Sequence, residues 1–248
     1  MAPDYPSLPL TLVIQVAGSV IAGKRRGFRQ DALRCVRGLA IKVMGIENMP
    51  YQGPGVIVFN HYSRLGFAAW WIALALSATL PVDLHWTMTS AWTEAGSVFT
   101  RLKALISERL FPRLALIYGF TAMPPMPPRP YEAAARARAV RQVLAVARRS
   151  PETILALAPE GQDSANGSLL KLHPGAGRFL ELLNGLGCPF YPLGVFESSD
   201  ALCLRFGPSF NLQLPPGLTS RQIDEQAAME VMRAVAELLP EAMRGEYR

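Results

Sequence analysis

Asn60-His61-Tyr62-Ser63-Arg64 is where this chain concentrates side chains able to move a proton. The histidine comes just after Val56-Ile57-Val58-Phe59, a run of β-formers that reads as a fully buried parallel strand. Residues past the carboxyl end of such a strand stand where open α/β sheets place their ligands. An imidazole there is the side chain best suited to accept a proton near neutral pH. A second polar cluster, Ala158-Pro159-Glu160-Gly161-Gln162, follows another β-forming run at 153–157. Two strand ends, one offering histidine and one Glu-Gly, fit a single cleft along the sheet edge. Lys171-Leu172-His173-Pro174-Gly175-Ala176-Gly177 comes shortly after and adds a cation and a glycine turn.

Other chemistries find little support. There is no Gly-x-Ser-x-Gly elbow, which disfavours a serine hydrolase of the α/β type. Gly175-Ala176-Gly177 follows a proline loop and lacks the third glycine of a dinucleotide site. No metal-ligand spacing is visible, and no cofactor is expected. Cys35, Cys188 and Cys203 are odd in number and widely spaced, which reads as reduced, buried thiols in a cytosolic setting.

These residues need a scaffold, and the strand and helix signals alternate along the chain. Strands are expected at 56–59, 84–88, 114–118, 153–157, 190–195 and 202–206. Helices are expected at 28–44, 66–79, 97–110, 131–149, 175–186 and 220–239. The alternation predicts an α/β fold with a largely parallel sheet flanked by helices. If Gly66 opens its helix, the helix dipole would lower the pKa of a nearby imidazole.

Of 248 residues, 50% are hydrophobic and only 18% charged, below the roughly 25% of an ordinary soluble domain. The net charge of +6 suits nucleic acid or an anionic lipid surface. Aromatics are not interleaved with the basic residues and no DNA-binding spacing appears, so lipid is preferred and nucleic acid is not expected. Residues 8–22 form an apolar stretch ending at Lys24-Arg25-Arg26, too short for the roughly twenty residues of a span. It reads as an interfacial helix with a basic collar toward anionic headgroups. The stretch 67–80, with Trp70 and Trp71, suits a core helix. The expected organisation is residues 1–45 as N-terminal amphipathic, membrane-associating helices and 46–248 as the α/β domain.

Four segments in order, IKVMGIENMPYQGPGVIVFNHYS, LALAPEGQ, LHPGAGRFL and CPFYPLGV, resemble the lysophospholipid and glycerol-phosphate acyltransferases, including the 1-acylglycerol-3-phosphate type. The resemblance covers about residues 41–210. It implies transfer of a fatty acyl group from acyl-CoA or acyl carrier protein to a lipid hydroxyl in phospholipid biosynthesis. The enzyme would be peripheral or monotopic on the cytoplasmic face of the cell membrane. His61 would be the general base, with Asn60, Ser63, Arg64, Glu160, Gly161, Lys171 and Gly175 as substrate-side residues. In the family an Asp five residues after the histidine holds the imidazole; here that position is Gly66. Asp83, Glu94, Asp163 or a backbone carbonyl could take its place. The family often carries Arg after Pro-Glu-Gly-Thr, where this chain has Gln162-Asp163, so an acceptor without a phosphate monoester is an option. The missing Asp also admits an alternative, a catalytically impaired relative that binds lipid or acyl chains at the membrane.

Overall fold

The computed structural model of the protein describes residues 3–92 and 98–248, the side chains of 98–102 excepted. Its elements in chain order are α1 (Leu10–Ala22), α2 (Phe28–Cys35), β1 (Ile41–Met44), β2 (Gly55–Phe59), α3 (Trp70–Thr79) and β3 (Leu84–Thr89). Then come α4 (Val98–Tyr118), β4 (Thr121–Met123), α5 (Ala133–Arg149), β5 (Ile154–Leu157), α6 (Ala176–Asn184), β6 (Phe190–Glu197), β7 (Leu202–Phe206) and α7 (Ser220–Glu237).

The strands form one sheet in the order β1-β7-β6-β2-β5-β3-β4. Every neighbouring pair is parallel except β6 and β7. Strand side chains alternate between faces, and the core divides accordingly. Ile57, Phe59, Ile154 and Ala156 pack with Leu12 of α1, Ala32 of α2 and Ile72 of α3. Val56, Val58, Leu155 and Leu157 pack on the opposite face with Val143 of α5, Leu180 of α6 and Val231 of α7. The expected α/β class and mostly parallel sheet are what the chain adopts.

Three local expectations are corrected. Residues 28–44 do not form one helix: α2 stops at Cys35, Gly38 takes φ +85°, and β1 then pairs with β7. A left-handed glycine ends a helix readily, and β-branched Ile41 and Val43 favour the strand. Residues 114–118 are the end of α4, which continues through Pro112, and not a strand. A five-residue apolar run has no period that separates a buried strand from a helix segment. Gly66 does not open α3, which begins at Trp70; it lies at φ +82° in a tight turn closed by Arg64 and Phe67, each N–H donating to the other's carbonyl at 2.9 Å.

Near the sheet edge, a buried polar knot holds the N-terminal helices in place. Arg26 forks onto Asp31 with both bonds at 2.7 Å, and the Tyr118 hydroxyl donates to Asp31 at 3.0 Å. On the other face α6 and α7 approach closely at Gly177, where an added Cβ would lie only 1.9 Å from the Asp224 carbonyl oxygen. Gly177→Ala is therefore expected to push the two helices apart at a cost of about 1–3 kcal/mol. Urea unfolding at equilibrium reads this as a lower midpoint; an unchanged midpoint would show that α6 can shift freely.

Candidate functional site

Strands β2 and β5 are parallel neighbours in register, Val58 opposite Leu157, so their carboxyl ends emerge side by side. The loops beyond them stay laced together. Ser164 N–H donates to the His61 carbonyl at 3.0 Å, and Ser63 N–H donates to the Ser164 carbonyl at 3.3 Å. The Glu160 carboxylate, 1% exposed, accepts from the His61 backbone N–H at 2.8 Å and from the Leu170 N–H at 2.6 Å. Burial raises its pKa to about 7, with the two N–H donors opposing that rise only in part.

This lacing sets His61 against Asp163. The imidazole Nδ1 lies 3.0 Å from Asp163 Oδ1, with the His61 side chain 27% and the Asp163 side chain 44% exposed. The oxygen sits off the ring's N–H axis, so the contact is an electrostatic pairing and not a straight hydrogen bond. Burial alone would lower the histidine's pKa. Asp163 and then Glu160 outweigh that, and the Gln162 backbone carbonyl adds to it, so the value stands above the ordinary one. The expected helix-dipole lowering does not arise, because no helix starts at Gly66, and the carboxylates set a shift of the opposite sign. For Asp163, burial raises the pKa, but His61 and a hydrogen bond from Ser63 override it and hold the carboxyl low.

The other sequence candidates fall into distinct settings. Asn60 is buried and spans Val195, donating to its carbonyl at 2.8 Å and accepting its N–H at 2.7 Å. Ser63 turns toward Asp163. Arg64 is exposed, and its Nε and Nη2 grip the two oxygens of Glu197 at 2.7 and 2.5 Å. Gly161 takes φ +66° in a turn where its N–H donates to Ala158, and a Cβ there would meet Met126 at 2.7 Å. Lys171 is exposed. Gly175 precedes α6, but its N–H and that of Arg178 donate at 2.7 Å to the two oxygens of Asp224, so a carboxylate of α7 already occupies that helix end. Trp71 is core and Trp70 stacks on it from the surface.

Among the four groups that could stand in for the missing Asp, Asp163 and a backbone carbonyl, that of Gln162, meet the imidazole. Asp83 precedes β3, a strand parallel to β5 and β2, and so lies at the opposite edge of the sheet. Glu94 lies outside the described residues. Sequence reasoning missed Glu197, although a polar residue ending a β-former run was the signal that found His61 and Glu160. Nothing local in the sequence marks Asp224.

A family model described as Acyltransferase matches residues 40–195, well over half of the chain. The chain belongs to the acyltransferase family. Among curated proteins none matches this acyltransferase. Among solved structures, it is similar to the 1-acyl-sn-glycerophosphate (LPA) acyltransferase PlsC from Thermotoga maritima, at 15% identity over 92% of this chain and 88% of that one, with a TM-score of 0.48.

The Glu160 carboxyl has a measurable signature. Its raised pKa means that, between its ordinary value near 4.5 and about 7, the folded protein holds a proton that the unfolded chain has lost. Stability then falls as pH rises through that window, by up to about 1.4 kcal/mol per pH unit from this group. Glu160→Gln is expected to flatten this part of the slope when urea unfolding is compared at about pH 5 and about pH 7. Parallel slopes for the two proteins would place the titration elsewhere.

Proposed function

We propose that this acyltransferase is membrane-peripheral. It moves a fatty acyl group from a thioester, acyl-CoA or acyl carrier protein, to the hydroxyl of a lysolipid or related lipid, with His61 as general base. The observation that carries the reading is the imidazole at the carboxyl end of β2, partly open to solvent and with Nδ1 beside Asp163. A proton on Nδ1 leaves the Nε2 lone pair for the acceptor. Nε2 takes the hydroxyl proton as the oxygen attacks the thioester carbonyl; the C–S bond then breaks and the proton passes to the departing thiolate. The missing Asp at position 66 favours the second reading, a relative that binds lipid without turnover.

Two features support the surroundings of this chemistry. Leu10, Ile14 and Ile21 lie on one stripe of α1 at 72%, 63% and 83% exposure, with Lys24 and Arg25 exposed just beyond. α1 packs against α4, whose Leu105, Ile106 and Leu116 are exposed as well. Such an apolar stripe with a basic collar suits an anionic membrane surface. Among the described residues no helix is long and apolar enough to cross a membrane. Cys35, Cys188 and Cys203 are free and buried, which suits the cytoplasmic face. Arg64 is held by Glu197, Arg178 by Glu181 at 3.1 Å, and the start of α6 by Asp224. Those pairings favour an acceptor headgroup without a phosphate monoester, since phosphate needs free guanidinium or N–H donors.

The test is acyl transfer from labelled acyl-CoA and acyl carrier protein to a panel of lysolipids and neutral glycerolipids. His61→Ala is expected to cut the rate by about 10²–10⁴-fold without loss of fold. An unchanged rate would remove His61 from the chemistry. Folded, vesicle-bound protein that is inactive with both donors and all acceptors would establish the lipid-binding reading. In a separate arm, Leu10→Asp/Ile14→Asp/Ile21→Asp is expected to weaken sedimentation with anionic vesicles at least about tenfold. Undiminished sedimentation would exclude the α1 stripe as the contact.

A further inference from the structure

An orienting carboxylate for the histidine must be held by a rigid element within a hydrogen bond's length of the ring nitrogen that does not face substrate. The loop carrying His61 supplies none: the position five residues on is Gly66, in a turn at φ +82°. The neighbouring strand supplies one. Asp163 reaches Nδ1 to 3.0 Å from the loop after β5, and the backbone bonds on either side fix that approach. Glu160, three residues earlier, holds the His61 N–H, and Ser164, one residue later, donates to the His61 carbonyl. Ser63, two residues beyond the histidine, binds the same carboxylate.

We infer that Asp163 is the positioning residue of the acyl transfer, holding the imidazole from the adjacent strand's loop in place of a carboxylate on the histidine's own loop. The inference rests on His61 being the base. Asp163 does not itself take the acceptor proton. It keeps the proton on Nδ1, turns Nε2 outward and stabilises the imidazolium formed during attack. The Gln162 carbonyl faces the same ring and remains when the carboxylate is removed.

Kinetics of full-length Asp163→Asn, Asp163→Glu and His61→Ala, measured across pH with one competent donor and acceptor pair, separate positioning from mere structure. The carboxylates facing the imidazole are Asp163 and Glu160, and both raise its pKa. A base works only when neutral, so the acid limb of kcat/KM, which reports the free enzyme, lies above the ordinary histidine value and moves to lower pH when Asp163 loses its charge. Asp163→Asn is expected to lower kcat by about 10²-fold or more, leave KM within about threefold, and shift that limb downward. Asp163→Glu is expected to restore the limb and part of kcat. A side chain that is 44% exposed allows the substitution without loss of fold, checked by an unchanged melting temperature. If Asp163→Asn keeps kcat within about twofold, or lowers it with the limb unmoved, the positioning role is wrong even though His61→Ala is dead. If His61→Ala stays active, the base assignment fails first.

Discussion

A carboxylate shut away from water ties the two halves of this site together. Glu160 accepts one backbone N–H from the histidine's loop and one from Leu170 on its own. A buried carboxylate with a single donor would be a costly arrangement, and removing one donor from such a group leaves a large desolvation penalty uncompensated. That constraint fixes the backbone at His61 relative to the loop after β5. The approach of Asp163 to the imidazole depends on it, as does the parallel bridge between Tyr62 and Ser164 that extends the strand pairing past both strand ends.

The same loop is coupled to the N-terminal segment ahead of α1. Tyr5 donates its hydroxyl to Glu197 at 2.9 Å and packs on Phe67 and Trp71 at ring separations of 5.0 and 5.4 Å. Tyr62, next to the histidine, also packs on Phe67, at a ring separation of 4.9 Å, and Glu197 also grips Arg64. The segment just ahead of α1 is thus tied to the residue beside His61 through a few aromatic contacts and one shared carboxylate.

Much of this was legible in the sequence. The buried run at 56–59 and the polar residues after it located one strand end, and the run before Glu160 located the other. Strand–helix alternation with long buried β-former runs carried the sheet class. Elements without a distinctive period were misread: residues 114–118 are apolar enough for either structure, and β1 is a four-residue strand close behind a helix. The role of Glu160 was legible only as a polar residue at a strand end. Its oxygens turn inward, which depends on the tertiary meeting of two loops. Asp163 stood among several acids because sequence distance says nothing about which of them a parallel neighbour brings within 3.0 Å of the ring.

The state of the His61 ring can be read directly by nitrogen-15 NMR of histidine-labelled protein, with His61 assigned by substitution and followed across pH. The expected result is a neutral His61 with its proton on Nδ1 and a bare Nε2, titrating above the ordinary histidine value because Asp163 and Glu160 stabilise the charged ring. A neutral ring protonated at Nε2, or a titration below the ordinary value, would contradict it: that imidazole would have no lone pair to offer the acceptor, or no carboxylate holding it.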